Sequence, residues 1–208
     1  MIKKVAIIDY GVGNLFSLKK ALDGFGHDIF ITEEADKISS ADAVILPGVG
    51  SFQAGIEGLK IRNLIKTVKN FASTGKPMLG ICLGAQLMLS KGHEFGMFDG
   101  LDIIPGKVLK FPKLAEKIPH IGWNEIYYPK KIWAKTILDS VKENSDVYFV
   151  HSYVLRPDKK NNILSFTKYG DYEFCSAIRR DNIYGCQFHP EKSGNVGLKI
   201  IKNFIKII

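Results

Sequence analysis

The stretch from Lys76 to Met88 constrains the fold more than any other part of the sequence. An apolar run ends at Gly80, Cys82 follows two residues later, and a helical pattern begins directly after it. This is the glycine-x-nucleophile-x-glycine spacing of a nucleophile elbow, with Cys at the nucleophile position. Small residues such as Gly80 and Gly84 suit a sharp strand-to-helix turn, which crowds its neighbours and strains the backbone. The stretch therefore predicts a sulfur raised above a sheet edge at a helix N-terminus, where the partial positive charge favours a thiolate.

Short apolar runs alternate with helical patterns from the first residues to this elbow. The apolar runs predict strands at Lys3–Asp9, Asp28–Thr32 and Ala43–Leu46. The helical patterns predict helices at Leu15–Phe25, Phe52–Gly58 and Leu64–Ser73. Such alternation is typical of α/β proteins, in which helices cover both faces of a mostly parallel central sheet.

The pattern changes in the second half of the chain, where short β-like runs dominate. These runs lie at Gly106–Lys110, Gly122–Tyr128, Val147–Val154, Leu164–Tyr169 and Ala177–Arg180. Because no linker-like composition separates them from the first half, they predict an antiparallel extension of the same sheet. A helix near Asn195–Ile207 is predicted to close the chain, so residues 1–208 are expected to form a single domain.

The composition excludes several classes of protein. Hydrophobic residues make up 46% and charged residues 24% of the chain, which excludes a disordered or fibrous protein. No apolar run approaches the roughly 18–20 residues of a membrane span, and no signal-peptide pattern is present, so we expect a cytoplasmic protein. The net charge is +8, but the lysines are scattered without interleaved aromatic residues. This pattern favours a solvated basic face over a nucleic-acid partner.

The three cysteines predict neither a disulfide framework nor a metal site. Cys82, Cys175 and Cys186 are an odd number and form no C-x-x-C pair, so a reducing compartment is expected. Cys175 and Cys186 lie in strand-like runs without an elbow, and we interpret both as structural residues.

Two glycine loops follow buried strands near the N-terminus. Asp9–Asn14 lacks the third glycine of a dinucleotide fingerprint, which favours a tight turn with Asn14 as the N-cap of the next helix. The loop Gly48-Val49-Gly50 follows the strand at Ala43–Leu46. In an elbow enzyme, a loop at a neighbouring strand end supplies backbone N–H groups to the oxyanion hole.

The second half of a catalytic site is predicted near the C-terminus. A cysteine nucleophile needs a base, and the base needs an orienting carboxylate. His189 and Glu191 are two residues apart, so in an extended chain both side chains point to the same side, and Pro190 suits a rigid strand end rather than a helix. A lone Cys, His or Glu is usually structural or solvated, and the hypothesis depends on their combination with the elbow.

These residues resemble the class I (triad) glutamine amidotransferases, whose two signatures match Gly80–Gln86 and His189–Glu191. Further blocks extend the resemblance over nearly the whole chain, towards glutaminase subunits that serve a cyclase in histidine biosynthesis. These blocks are Asp9–Asn14, Pro47–Phe52, His120–Asn124, Tyr148–Tyr153 and Gln187–Ser193. The resemblance implies a flavodoxin-like α/β sheet with an antiparallel extension.

The resemblance also implies a role for each site residue. Cys82 would attack the side-chain amide of glutamine, His189 would transfer the proton and Glu191 would orient His189. The oxyanion would be held by the N–H of Leu83 and, after a backbone adjustment, by Gly48, Val49 and Gly50. Gln86 and Glu94 would contact the amino-acid end of the substrate, although Gln86 alone is typical of a helix surface. No cofactor and no metal are implied.

A partner is implied because ammonia is useful as a nucleophile only if it stays unprotonated. The resemblance implies a heterodimer with a (βα)8-barrel cyclase subunit that receives the ammonia. Four residues resemble the interface and its gate: Trp123, Asn124, Tyr148 and Lys192. For Trp123, packing in the core is the alternative.

Other functions remain open from the sequence. Ala85 occupies a position where the histidine-pathway subfamily commonly has Met, and related glutaminases that amidate surface-polysaccharide sugars share the same motifs. The histidine pathway is favoured over this alternative. A free-standing cysteine hydrolase or a non-catalytic scaffold is the lower alternative.

Overall fold

The computed structural model describes residues 1–113, 115–128 and 133–208. These residues form thirteen strands: β1 (Lys4–Ile8), β2 (Asp28–Thr32), β3 (Ala43–Leu46), β4 (Met78–Ile81), β5 (Leu89–Gly92), β6 (Phe98–Asp99), β7 (Ile104–Lys110), β8 (His120–Ile126), β9 (Ser145–His151), β10 (Tyr153–Pro157), β11 (Ile163–Tyr169), β12 (Tyr172–Arg180) and β13 (Ile183–Cys186). The helices are α1 (Leu15–Leu22), α2 (Ala35–Ser40), α3 (Phe52–Ile61), α4 (Leu64–Ser73), α5 (Leu83–Leu87) and α6 (Gly194–Ile207).

Eleven of the described strands form one sheet, whose main path runs β2-β1-β3-β4-β13-β12-β10-β7-β5-β6, with β11 paired to β12. Along this path the first five strands, β2, β1, β3, β4 and β13, run parallel to one another. Strands β12, β10 and β7 continue the sheet in antiparallel order. The predicted α/β class with a parallel centre and an antiparallel extension is therefore confirmed.

The alternation of side chains along the central strands explains why both faces of the sheet are covered. On β1, Val5 and Ile7 join the apolar cluster with α1 and α6, whereas Ala6 and Ile8 join the cluster with α2, α3, α4 and α5. All four side chains are fully buried. Because successive residues of a strand point to opposite faces, such a strand requires an apolar layer on each side.

Several local predictions differ from the structure. The run predicted at Val147–Val154 is divided at Ser152 into β9 and β10, because β9 pairs with β8 in a separate two-stranded sheet while β10 joins the main sheet. This two-stranded sheet, β8–β9, corrects the expectation that every run extends the central sheet. The short elements α2, β5 and β6 were not predicted.

The carboxyl ends of four central strands meet at one edge of the sheet. Here β1, β3, β4 and β13 lead respectively into Asp9, Pro47, Cys82 and Gln187. In open parallel sheets, ligands bind at this edge, where the connections leave the sheet in opposite directions and open a crevice. The fold thus brings together the loops that the sequence singled out.

Candidate active site

Cys82 occupies the predicted elbow between β4 and α5. Its backbone has φ +52° and ψ −109°, a conformation that a residue with a side chain rarely adopts. A hydrogen bond from the Cys82 N–H to the Cys186 carbonyl, 2.7 Å long, holds the turn against the neighbouring strand. The side chain is 7% exposed. The strained turn therefore presents a mostly buried sulfur at the edge of the sheet.

The close packing around Gly80 and Gly84 explains why the elbow has glycine at these two positions. A Cβ on Gly84 would lie 1.7 Å from the Leu46 carbonyl oxygen, and a Cβ on Gly80 would lie 2.8 Å from the Cα of Ala85. Neither site accepts a side chain without displacing backbone. Ala85 itself is fully buried, and a Cβ on Gly185 would lie 3.0 Å from its methyl group, so position 85 lies in close contact with β13.

His189 and Glu191 lie beside the elbow at the end of β13. The Glu191 Oε1 is 2.8 Å from His189 Nδ1, and the two side chains are 3% and 6% exposed. Pro190 begins a 3-10 turn over Pro190–Lys192, so the expectation that Pro190 lies at a strand end rather than in a helix was wrong. The turn still brings the two side chains into contact. Its first position suits Pro190, whose missing N–H would have no partner there.

The backbone around His189 is held by Ser193 and by β9. The His189 N–H donates to the Tyr148 carbonyl at 2.9 Å, and the Ser193 hydroxyl donates to the His189 carbonyl at 2.6 Å. The same hydroxyl accepts from the Tyr148 N–H at 3.0 Å. Ser193 was missed as a positioning residue, although it lies in a block that the sequence had singled out.

The charge state of His189 follows from its neighbours. Burial lowers the pKa of His189, but interactions with Cys82 and Glu191 outweigh this effect and raise the pKa to about 9. The Nδ1 atom faces Glu191, whereas Nε2 has no hydrogen-bond partner among the described residues. This arrangement favours an imidazolium that keeps a transferable proton on Nε2, with Cys82 and Glu191 as the groups that stabilise its charge.

The glycine loop after β3 lies against the elbow. The Leu83 N–H donates to the Gly48 carbonyl at 3.3 Å, so this N–H faces an oxygen of the loop. The Val49 N–H has no partner in the part of the chain that the structure describes. An oxyanion hole needs N–H groups that point at the substrate oxygen, so the loop has to adjust before Leu83 can serve it.

A cavity of about 290 Å³ opens above Cys82. Its lining includes Leu83, Gln86, Glu94, Val49 and Gly50, together with Pro119 and the segment from Val150 to Tyr153. The cavity lies at the small end of the volumes found for small-molecule sites. The structure therefore brings the predicted nucleophile, oxyanion loop and substrate residues to one space.

Gln86 and Glu94 reach this cavity in different ways. Gln86 is 5% exposed, which corrects the expectation of a helix-surface residue. Its Nε2 donates to the Tyr153 carbonyl at 3.2 Å and to Gln187 Oε1 at 3.1 Å, and Gln187 in turn lies 3.8 Å from the Cys82 sulfur. Glu94 accepts a 2.6 Å hydrogen bond from the Phe52 N–H at the start of α3. Gln187 was missed as part of the site.

A pair of buried histidines connects the cavity to the two-stranded sheet. His120 Nδ1 lies 3.1 Å from His151 Nε2, and His151 Nδ1 donates to the Tyr153 carbonyl at 2.8 Å. On the other side, His120 Nε2 lies 2.7 Å from Asn124 Oδ1. Burial lowers the pKa of His120, and lowers the pKa of His151 to about 3. The sequence blocks contained both residues, but only the pairing of β8 with β9 places them opposite each other.

Three of the four predicted interface residues form one surface. Trp123 is 54% exposed, so the alternative of core packing for Trp123 was wrong. Its ring meets that of Tyr148 at 5.8 Å between centroids, and Lys192 Nζ lies 6.0 Å from the Tyr148 ring centre. The fourth residue, Asn124, is not part of this group of side chains. Its Oδ1 is hydrogen-bonded to His120, and its Nδ2 donates to the Lys168 carbonyl at 3.1 Å.

The side chains of the other two cysteines do not line the cavity. Burial raises the pKa of the Cys175 and Cys186 thiols far above their usual range, which suits structural residues. In the described ranges, no group of three or more His, Cys, Asp or Glu side chains is arranged to hold a metal ion. None of the helices described here combines the length and the apolar character that crossing a membrane requires.

Comparison with known proteins defines the class. The family model described as "Glutamine amidotransferase class-I" matches residues 6–208. The chain belongs to this family of enzymes, and the resemblance found in the sequence is confirmed.

Similar relatives share almost the whole length of the chain. "Imidazole glycerol phosphate synthase subunit HisH 1" of Legionella pneumophila (strain Paris) is 47% identical, covering 98% of this chain and 99% of that relative. "Imidazole glycerol phosphate synthase subunit HisH" of Moorella thermoacetica is 41% identical, covering 99% of this chain and 96% of that relative. These relatives favour the histidine-pathway interpretation over the polysaccharide alternative.

The fold is shared with solved structures of low sequence identity. A structure described as "Crystal structure of glutamine amidotransferase" superposes with a TM-score of 0.74 at 15% identity, covering 98% of this chain and 97% of that chain. At this identity the similarity concerns the fold alone. It agrees with the α/β sheet described above.

Proposed function

We propose that this chain is the glutaminase subunit of an imidazole glycerol phosphate synthase, a single amidotransferase domain over residues 1–208. It would hydrolyse glutamine to glutamate and ammonia. The observation that carries the proposal is the 41–47% identity, over nearly the whole chain, to relatives that are named as this subunit. The Cys82, His189 and Glu191 cluster supports the chemistry independently, because it supplies a nucleophile, a base and an orienting carboxylate.

The first half-reaction forms a thioester. The Cys82 thiolate attacks the side-chain carbonyl carbon of glutamine, and the electron pair of the C=O bond moves to the oxygen. When the tetrahedral intermediate collapses, the C–N bond breaks and the His189 imidazolium gives its proton to the leaving nitrogen, which departs as NH3. The raised pKa of His189, about 9, keeps this proton available near neutral pH.

The second half-reaction restores the enzyme. His189 is now neutral and takes a proton from water, whose oxygen attacks the thioester carbon. The C–S bond then breaks, glutamate leaves, and Cys82 returns to the thiolate beside the imidazolium. Glu191 stabilises the imidazolium in both halves by its contact with Nδ1.

Stabilisation of the oxyanion requires the loop to rearrange. Rotation of the peptide between Gly48 and Val49 would remove the Gly48 carbonyl from the Leu83 N–H and direct the unpartnered Val49 N–H to the same place. Two N–H groups would then converge on the substrate oxygen. Loss of one such donor typically lowers kcat by about 10²–10³-fold.

The amino-acid end of glutamine would lie near Gln86 and Glu94, both of which line the cavity. A carboxylate such as Glu94 pairs with a substrate ammonium by a charge-assisted hydrogen bond. The ammonia would pass directly to a (βα)8-barrel cyclase subunit, which would use it to make imidazole glycerol phosphate and aminoimidazole carboxamide ribonucleotide. The surface of Trp123, Tyr148 and Lys192 is the part of this chain that we assign to the heterodimer interface. A cytoplasmic location follows from this role.

The experiment is reconstitution with the barrel subunit from the same genome. Glutamate release is measured for the chain alone, for the heterodimer, and for the heterodimer with its ribulosyl-formimino ribonucleotide acceptor. We expect the acceptor to raise turnover at least about ten-fold and one acceptor to be aminated per glutamine. Stimulation by a sugar nucleotide with a different barrel partner, and none by the ribonucleotide, would contradict the proposed pathway.

A further inference from the structure

The inner side of the glycine loop rests on a tyrosine that follows β1. Tyr10 is fully buried, and its hydroxyl donates a hydrogen bond to the Pro47 carbonyl, 37 residues further along the chain. A Cβ on Gly48 would lie 2.2 Å from the same hydroxyl. The phenol therefore touches the loop at two consecutive residues, directly before the peptide that faces the Leu83 N–H.

The position of Tyr10 is set by the surrounding structure rather than by the loop. A Cβ on Gly58 of α3 would lie 2.3 Å from the Tyr10 carbonyl oxygen, so the helix packs directly on this backbone. Arg62 Nη1 donates to the same oxygen at 3.3 Å, and Arg62 Nε is held by Glu33 at 2.8 Å. These contacts make Tyr10 a fixed support for a loop that has to move.

In the hydrogen bond between Tyr10 and Pro47, the tyrosine hydroxyl is always the donor. Burial, together with the charge of nearby Cys82, raises the pKa of the Tyr10 phenol well above its usual value, so the hydroxyl keeps its proton and acts as a donor. Pro47 has no N–H, and its carbonyl is the only hydrogen-bonding group on its backbone. Tyr10 thus holds the one backbone group by which this residue can be anchored.

We propose that Tyr10 is a positioning residue for the oxyanion loop: it anchors the Pro47 carbonyl, so that rotation is confined to the Gly48–Val49 peptide. The Pro47–Gly48 peptide stays in place, and exchange of the Gly48 carbonyl for the Val49 N–H becomes a local event. Because Val49 is 42% exposed and Gly50 has φ +115°, the chain after this peptide is free to follow. The inference rests on the proposed glutaminase function, which needs this loop to complete the oxyanion hole.

The test is Tyr10→Phe in the heterodimer with acceptor bound. This variant keeps the ring and removes the O–H, which leaves the Pro47 carbonyl without its donor. We expect kcat for glutamine hydrolysis to fall about 10- to 100-fold while KM stays within about two-fold, because the loss affects the oxyanion rather than substrate binding. Alkylation of Cys82 by iodoacetamide, which displaces iodide without forming an oxyanion, should keep its wild-type rate.

Two further variants separate positioning from packing. Tyr184→Phe removes the hydroxyl of another buried tyrosine, 1% exposed on β13, and should leave kcat unchanged. 4-Aminophenylalanine at position 10 restores an N–H donor to Pro47 and should recover kcat to within about five-fold of wild type. If Tyr10→Phe does not fold well, the variant with 4-aminophenylalanine at position 10 still has a donor for the Pro47 carbonyl and keeps the inference testable.

Three results would overturn the inference and leave the proposed function standing. They are an unchanged kcat in Tyr10→Phe, a fall in Cys82 alkylation that matches the fall in kcat, and a loss in Tyr184→Phe equal to that in Tyr10→Phe. A wild-type heterodimer that releases no glutamate would overturn the proposed function and this inference together. A fully active wild type with an equally active Tyr10→Phe variant would overturn the positioning role alone.

Discussion

Replacing Glu191 by Gln removes a charge from the site while keeping a side chain of the same size. His189 has a pKa of about 9, against the usual value of about 6.5, although its burial acts in the opposite direction. This difference corresponds to about 3 kcal/mol in favour of the imidazolium, and Cys82 and Glu191 are the two groups responsible. At about pH 7, a pKa of about 9 leaves about 1% of His189 neutral, whereas a pKa of about 6.5 leaves about three quarters neutral.

We therefore expect Glu191→Gln to lower the pKa of His189 by at least about one unit and kcat by about 10⁴-fold, the loss found when the orienting carboxylate of a triad is removed. The assay is NMR titration of the histidine side chains between about pH 5 and pH 10, with His189→Asn to assign the resonance. Glu57→Gln, on the exposed side of α3, makes the same chemical change away from the site and should alter neither quantity. An unchanged His189 pKa combined with a loss of kcat below ten-fold would contradict the orienting role of Glu191.

The same change has a signature in stability. Because the pKa of His189 is raised in the folded state, its stabilising contribution is fully present below about pH 6.5 and is lost as the pH rises through about 9. The free energy of unfolding of the wild type, measured by urea titration, should fall across this window. Glu191→Gln should show a smaller fall, and an equal fall in both proteins would show that Glu191 does not control the proton.

Three further predictions concern the elbow, the surface and the other cysteines. Gly84→Ala should destabilise the chain by about 1–3 kcal/mol in urea unfolding, because the new Cβ would lie 1.7 Å from the Leu46 carbonyl oxygen. A change below about 0.5 kcal/mol would contradict the elbow geometry. Trp123→Ala should change the free energy of unfolding by no more than about 0.5 kcal/mol, since the ring is 54% exposed, yet weaken binding of the barrel subunit at least about ten-fold in calorimetry. Brief iodoacetamide treatment should modify Cys82 alone in peptide mapping, because burial keeps the two strand cysteines as thiols, and an adduct on either would contradict their structural role.

Much of the parallel half of the fold was predictable because its signals are local. The strands β2 and β3 have the predicted bounds. The elbow at Cys82 was indicated by Gly80 and Gly84, where backbone atoms of nearby residues or of the adjacent strand leave no room for a side chain. Asn14 caps α1 as expected, since its Oδ1 accepts from the Ser17 N–H at 3.3 Å. For Asn14 and Gly80 the sequence pattern and the physical constraint lie in the same short segment, whereas the constraint on Gly84 comes from Leu46 on the adjacent strand.

What the sequence did not reveal depends on contacts between distant residues. The hydrogen bond from Tyr10 to Pro47 and the pairing of His120 with His151 join segments that no local periodicity connects. The run at Val147–Val154 is uniformly β-like, and its division at Ser152 follows from two different strand partners. The buried position of Gln86 likewise depends on β10, which lies against α5 only in the folded chain.

The proposed function depends above all on attack by Cys82 on the side-chain carbonyl of glutamine. The most direct measurement is covalent labelling by a diazo-ketone analogue of glutamine, with the modified peptide identified by mass spectrometry and protection by glutamine tested in parallel. We expect one adduct per chain, on Cys82, and we expect glutamine to prevent its formation. An adduct on Cys175 or Cys186, or none on Cys82, would contradict it.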